Sequence, residues 1–251
     1  MKKMNASVRQ EQILALLSKY GAMKTLDLAE HFQVSRETLR RDLVALTEKG
    51  LVQKCFGGVI SCRSAVDTAE PDLLFVKKQI AEKALSLIPP NSIIFMDNGT
   101  TTIHLAGFLS QQSGYTFVTP SLSIANACAG GSNKLIICGG MLDPNIMSTY
   151  GTPTAAFLEQ LKLDVAVFAT TGFKNNDGPT GDTFEYCQLK TVAHRNAQLR
   201  IVLADSSKGT YSSLIQYANW KDIDYLITDS GLDPELKEKI SQTTQIIYAD
   251  M

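Results

Sequence analysis

The chain of 251 residues lacks the features that would place it outside the cell, in a membrane or around a metal. Its five cysteines, Cys55, Cys62, Cys128, Cys138 and Cys187, are odd in number and scattered, with no C-x-x-C pair. This argues against a disulfide framework or a thiolate zinc site and suits a reducing compartment, so a cytoplasmic location is expected. His31, His104 and His194 are the only histidines, and no two have metal-ligand spacing. No metal and no cofactor are expected. No apolar run approaches the roughly 18 residues of a membrane span, and polar residues rather than an apolar signal core follow Met1-Lys2-Lys3. There is no internal repeat and no low-complexity tract.

Charge is nearly balanced overall, at −1, but unevenly spread. Residues 1–60 carry ten Lys and Arg against six Asp and Glu, a net +4, which leaves −5 on the remainder. A basic head on an acidic body confines attraction for phosphate backbones to the head.

That head has its own pattern. Residues 8–20 present Ile13, Leu14 and Leu17 as one helical face. A second helix is expected over 25–32, capped by Thr25, with Leu28, Ala29 and Phe32 inward. A tight turn at Gln33-Val34 then leads to Ser35, which can cap a third helix. Leu39, Leu43 and Leu46 form its buried stripe, so Glu37 and Arg41 point away, flanked by Thr38 and Arg40. An exposed helix face rich in Arg and Thr suits a DNA major groove, where Arg bridges the acceptors of guanine. Leu51 to Lys54, then Cys55-Phe56 and Gly57-Gly58-Val59-Ile60, read as two short strands about a glycine turn. Together these make a winged helix-turn-helix that binds double-stranded DNA. Its candidate contacts are Thr25, Ser35, Arg36, Glu37, Thr38, Arg40, Arg41 and, in the wing, Lys54. A small helical cap with a solvated Arg face is the bland alternative.

The expected organisation is a head over 1–60, a small polar linker over 61–72 and a second domain over 73–251. A helix over 73–87 should open that domain, stopped by Pro89-Pro90. Apolar runs then alternate with helical stretches. Strands are expected at 93–96, 116–118, 135–138, 165–168, 201–204, 225–227 and 245–248, and helices at 103–109, 122–129, 153–161, 185–198 and 234–241. Continuous apolar strands alternating with helices mean a mainly parallel sheet covered on both faces, an α/β fold.

Ligands of such sheets bind beyond the carboxyl ends of the strands. Those ends read Asp97-Asn98-Gly99-Thr100-Thr101-Thr102, Thr119-Pro120-Ser121, Gly139-Gly140, Thr170-Thr171-Gly172 and Asp205-Ser206-Ser207-Lys208. Gly99 lets backbone approach a ligand, and the N–H groups and hydroxyls after it can cradle an anion at a helix N-terminus. Ser121 can do the same, Lys208 supplies positive charge, and Asp97 and Asp205 suit sugar hydroxyls. Each loop alone is also what ordinary helix caps use, and Lys208 alone is also an ordinary surface lysine.

Val34-Ser35-Arg36-Glu37-Thr38-Leu39-Arg40-Arg41-Asp42-Leu43, with Leu46, Glu48, Gly50 and Gly57-Gly58, resembles the DeoR family of bacterial transcription regulators. The strand-end loops follow in the order of that family's sensor domain. The resemblance implies a Rossmann-like domain similar to ribose-5-phosphate isomerase and glucosamine-6-phosphate deaminase. It further implies a phosphorylated sugar effector bound by Asp97, Asn98, Gly99, Thr100, Thr101, Thr102, Ser121, Gly139, Gly140 and Lys208, with repression of a carbohydrate operon. The chain departs from the family pattern at Pro120, where Asn is usual, at Gly209-Thr210 after Lys208, and at Lys54 and Phe56 in the wing.

The rival expectation is a sugar-phosphate isomerase or deaminase-like enzyme. Such enzymes need an acid and a base on opposite sides of the carbon skeleton. Here the corresponding region offers only Asp177 and Asp182 in polar, glycine-rich sequence, and Glu185 at a helix start, so no enzyme is expected. Because one recognition helix reads few base pairs, a homo-oligomer is expected.

Overall fold

The computed structural model describes residues 5–20, 22–48, 51–55, 58–61, 71–175 and 177–250. Two compact units divide between Glu70 and Pro71.

In the first unit, α1 (Ala6–Tyr20), β1 (Ala22–Lys24), α2 (Thr25–His31), α3 (Arg36–Glu48), β2 (Val52–Cys55) and β3 (Gly58–Ser61) follow in order. Ile13 and Leu17 of α1, Leu28 of α2, Leu39 and Leu46 of α3, and Val52 and Val59 of the strands are buried in one core. The Arg9 guanidinium of α1 reaches the Asp42 carboxylate of α3 at 2.6 Å inside that core, so the two helices are joined by charge as well as packing. The sheet has three strands in the order β1-β3-β2, all antiparallel. The sequence pattern missed β1 because three residues are too few for an alternation to register. The glycine turn expected at Gly57 lies outside the described residues, as do residues 62–70 of the expected linker. Pro71 and Asp72, also expected in the linker, open the next helix instead, proline being well suited to the first turn.

The second unit contains α4 (Pro71–Leu85), β4 (Ile93–Met96), α5 (Thr100–Ser110), β5 (Thr116–Thr119), α6 (Leu122–Cys128), β6 (Lys134–Ile137), β7 (Met141–Asp143), β8 (Ser148–Tyr150), α7 (Thr152–Glu159), β9 (Leu163–Ala169), β10 (Thr180–Gly181), α8 (Phe184–Asn196), β11 (Ala197–Leu203), β12 (Ile215–Gln216), β13 (Tyr225–Thr228), α9 (Pro234–Ser241) and β14 (Gln245–Tyr248). Seven strands form one parallel sheet in the order β14-β13-β11-β9-β4-β5-β6. Alternate residues of each strand enter opposite cores: Ile94 and Met96 face one layer, Phe95 the other. On the first side α4, α5 and α6 contribute Ile80, Leu105 and Ile124; on the second α7, α8 and α9 contribute Leu158, Leu189 and Ile240. The helix expected over 185–198 ends at Asn196, because Ala197 is already paired with Leu163 at the start of β11. The β7–β8 hairpin and the antiparallel pairing of β10 with the distant β12 were not expected.

The order of this sheet reverses between β4 and β9. From β4 the chain winds outward through β5 and β6, then returns to place β9 on the other flank of β4 and winds the opposite way. The helices that follow β4 and β9 therefore leave on opposite faces, opening a crevice where the two strands end.

Candidate functional site

Two sites emerge, one in each unit. In the first, α3 presents its polar face outward. The Thr38 N–H donates to Ser35 Oγ at 3.2 Å, and the two hydroxyls lie 2.9 Å apart, so Ser35 caps the helix as expected. Arg36, Glu37, Arg40 and Arg41 are exposed. Glu37 is not a free group on this face. Its carboxylate accepts Nε and Nη2 of Arg40 at 3.0 and 3.2 Å and Nε of Arg41 at 3.4 Å. The Arg40 hydrogen bonds draw its carboxyl below the ordinary range. Glu37 thus pairs with both guanidiniums on the exposed face of the helix. Thr25 begins α2, and Lys54 lies in β2 of the wing. The turn before α3 is a Schellman closure: Val34 N–H reaches Ala29 O and Gln33 N–H reaches Glu30 O, both at 3.1 Å. Gln33 takes the left-handed position, with φ of 51°, that glycine usually fills.

In the second unit a cavity of about 210 Å³ occupies the crevice beyond β4, β9 and β11. Asn98, Gly99, Thr100 and Thr101 line it from the first strand end, Thr170 and Thr171 from the second, and Asp205 and Lys208 from the third. Gly99 is required there, since a Cβ would stand 2.4 Å from that of Ala169. That close approach brings the first turn of α5, with its unbonded N–H groups, against the end of β9. Thr102 shapes the loop from within, its hydroxyl donating to the carbonyls of Asp97 and Gly99, both at 2.8 Å.

Asp97 sits below the cavity rather than on its wall. It is buried, and its Oδ2 accepts Lys190 Nζ at 2.6 Å and Ala169 N–H at 3.0 Å. Burial outweighs the pull of Lys190 and raises the Asp97 carboxyl above its usual range. Lys190 also donates to Ala169 O at 2.7 Å, and Tyr217 OH donates to the same carbonyl at 3.0 Å. The Ala169 peptide is thereby clamped on both sides. Sequence reasoning missed Lys190, although a signal existed. It stands in the buried stripe Cys187, Lys190, Ala193 of α8, where an unpartnered lysine would not be tolerated.

Other expected site residues lie farther out. Ser121 is buried as the cap of α6 and reaches the site through Asn98, donating to Oδ1 at 2.9 Å. Gly139 and Gly140 follow β6, the edge strand, and do not line the cavity. Gly140 instead packs against Tyr150 and Thr154, whose hydroxyl donates to Gly139 O at 2.7 Å. The carboxylates weighed for catalysis are also elsewhere: exposed Asp177 pairs with Lys239 at 2.8 Å, and Asp182 accepts the hydroxyls of Thr171 and Ser213. Glu185 lies exposed in the first turn of α8. Among the described residues no group of three His, Cys, Asp or Glu side chains could hold a metal, and no helix is long and apolar enough to cross a membrane. Cys128, Cys138 and Cys187 are unpaired and buried, and burial pushes the Cys138 thiol up to about 12.

Comparison with known proteins matches both units. Residues 9–65 match the DeoR-like helix-turn-helix domain and residues 75–230 the DeoR C terminal sensor domain. The L-fucose operon activator of Haemophilus influenzae is 31% identical over 240 residues, covering 93% of this chain and 96% of that protein. The transcriptional regulator IolR of Bacillus subtilis is 32% identical, covering 94% of each chain. The glycerol-3-phosphate regulon repressor of Escherichia coli is 30% identical, covering 90% of this chain and 92% of the relative. A ribose-5-phosphate isomerase structure overlaps 53% of each chain at 19% identity with a TM-score of 0.40, too partial a likeness to bear on the site. With a helix-turn-helix head, a parallel-sheet sensor body and relatives matched along nearly their whole length, the chain belongs to the DeoR family of transcriptional regulators.

Proposed function

We propose that this regulator represses a carbohydrate operon and that a phosphorylated sugar, bound in the cavity beyond β4, β9 and β11, sets its affinity for operator DNA. The observation that carries this reading is the meeting of the first turn of α5 with Lys208 and the threonine hydroxyls on one cavity. Helix N–H groups and an ammonium favour an anion, while hydroxyls and the Asp205 carboxylate suit the rest of a sugar. Release of DNA on binding requires the effector to prefer the arrangement with low DNA affinity.

Sensing fits the cavity better than turnover. Asp177, Asp182 and Glu185 do not line it, and Asp97 beneath it is held by Lys190. The protein works as a homo-oligomer in this account, because two linked heads gain the affinity and length of site that one recognition helix lacks.

A thermal-shift screen of sugar phosphates tests the reading. A ligand of the folded state raises the melting temperature once its concentration passes Kd. Hits should lose most of their effect on Lys208→Ala and Thr100→Ala. Hits that stabilise both variants as well as the parent would place the site elsewhere, and chemical conversion of a hit would return the enzyme reading.

A further inference from the structure

β6 is one of the two edge strands of the seven-stranded sheet. Its Lys134 N–H donates to Tyr115 O, and the N–H of Cys138 just after it donates to Thr119 O, both toward β5. Backbone groups alternate along a strand, so Leu135 and Ile137 turn their N–H and C=O to the open side. These groups have no partner among the described residues. An open edge is a template for another strand, and folds ordinarily blunt it with charge, proline or a covering element. The one charge of β6, Lys134, stands at its first position, and Leu135, Ile136 and Ile137 follow.

The surroundings of this edge are apolar. Ile137 is 46% exposed, and Met141, Leu142, Ile146 and Met147 of the β7–β8 hairpin are exposed as well. The hairpin is held beside the edge: Thr149 Oγ1 donates to Cys138 O at 2.5 Å, and Leu122 N–H donates to Met147 O at 2.8 Å. Tyr186 OH fixes its other strand by donating to Asp143 at 3.1 Å. β14, the opposite edge, carries no exposed large apolar side chain. Large apolar side chains gathered on one fixed edge mark a contact surface.

Two observations identify a second copy of the chain as the occupant. The free groups of β6 are self-complementary. Antiparallel pairing about a two-fold axis through Ile136 sets Leu135 of each copy opposite Ile137 of the other. Each such pair exchanges both of its hydrogen bonds, so every free N–H and C=O of the two edges is satisfied. Charge agrees with this. Residues 134–150 carry one Lys and one Asp, a net zero, on a body of net −5. Two copies therefore meet here without pressing their acidic charge together, and a strongly charged partner finds nothing to hold.

We propose that β6 and the β7–β8 hairpin form the self-association surface of this regulator, two copies joining their sheets edge to edge through antiparallel β6 strands. The proposal rests on the homo-oligomer reading and names the surface responsible. Ile137 of each copy packs beside Leu135 of the other, and the hairpin supplies the apolar flank of the contact.

Sedimentation equilibrium of the full chain over a range of concentrations tests this, with thermal melts showing that each variant folds. Ile137→Pro removes an outward N–H that β5 does not use, and proline is tolerated at such edge positions. Should it fail to fold, Ile137→Lys replaces it and charges the same edge. A Met141→Lys, Leu142→Lys double variant charges the flank. Both changes should weaken self-association at least tenfold, and Leu214→Lys, at an exposed apolar residue outside this edge, should leave it unchanged. Should either the strand or the hairpin variant associate as tightly as the parent, the joint surface is overturned while the homo-oligomer reading stands. Equal weakening by Leu214→Lys would overturn it too, since the effect would not belong to this edge. A parent that stays monomeric at the concentrations used for DNA binding removes the proposal and the homo-oligomer reading together.

Discussion

Lys190 Nζ lies 2.6 Å from Asp97 Oδ2, with only 10% and 8% of the two side chains exposed, at the floor of the strand-end cavity that Lys190 helps to line. The pair joins α8, on one face of the sheet, to the end of β4. With the Ala169 peptide clamped between them, it fixes the spacing of the two strand ends that flank the crevice. Removing one partner leaves the other charge buried alone. Lys190→Met should lower unfolding stability by about 3–5 kcal/mol, measured by urea denaturation. The deficit should shrink on acidification. Burial already raises the Asp97 carboxyl, the loss of Lys190 raises it further, and its protonation in the folded state removes the unpaired charge. An equal deficit at all pH values would mean that lost packing, rather than an orphaned carboxylate, is responsible.

His104 supplies a second pH signature. Its Nε2 is buried without a partner, and burial, then Lys78 and Lys77, lower its pKa. The unfolded chain accepts a proton at about pH 6.5 that the folded protein refuses, so stability falls as pH drops through that range. His104→Gln should flatten this slope relative to the parent, leaving a remainder from His194, which burial also depresses. An unchanged slope would show that His104 does not contribute.

On the exposed face of α3, Arg41 is 78% exposed and its pairing with Glu37 is a surface contact. Arg41→Ala should leave folding stability nearly unchanged, since exposed pairs contribute about 0–1 kcal/mol. Its effect belongs to binding: about 1–3 kcal/mol of operator affinity with relaxed preference at one position if it reads a guanine, or a reduced salt slope if it meets a phosphate. A gel-shift series at several salt concentrations separates these outcomes. Operator affinity unchanged in the Arg40→Ala, Arg41→Ala double variant would remove α3 from the groove.

Gln33 offers a test of the turn that aims α3. Gln33→Gly relieves a left-handed non-glycine residue and should raise stability by roughly 0.5–1 kcal/mol. A destabilised variant would mean that the Gln33 side chain contributes more than its backbone strain removes.

Much of this architecture is legible from local pattern. The Leu39, Leu43 and Leu46 stripe locates α3 and turns its arginines outward, and continuous apolar runs such as Val165 to Phe168 identify buried strands. Sheet order is not local, and that limits the site. Gly139-Gly140 and Asp97-Asn98-Gly99 look alike as strand-end loops, but one follows the edge strand and the other the strand at the reversal. Only the second meets Lys208. Lys190 was missed for a related reason. A lysine on a helix reads as solvated until the packing of that helix is known, and its place between the buried Cys187 and Ala193 was the one local hint. The β7–β8 hairpin escaped notice because its strands are three residues each and Met141 and Leu142 are exposed, so no alternation marks it.

The central claim is that a phosphorylated sugar at the strand ends controls the hold of α3 on DNA. Fluorescence anisotropy on a labelled duplex, selected by the protein itself from a random pool, measures this directly. Adding the sugar phosphate that most stabilises the protein should lower operator affinity at least tenfold, a coupling of about 1.4 kcal/mol. Lys208→Ala should bind the duplex like the parent and fail to respond. Operator affinity indifferent to every sugar phosphate that stabilises the protein, or a Lys208→Ala variant that responds as the parent does, would contradict the account.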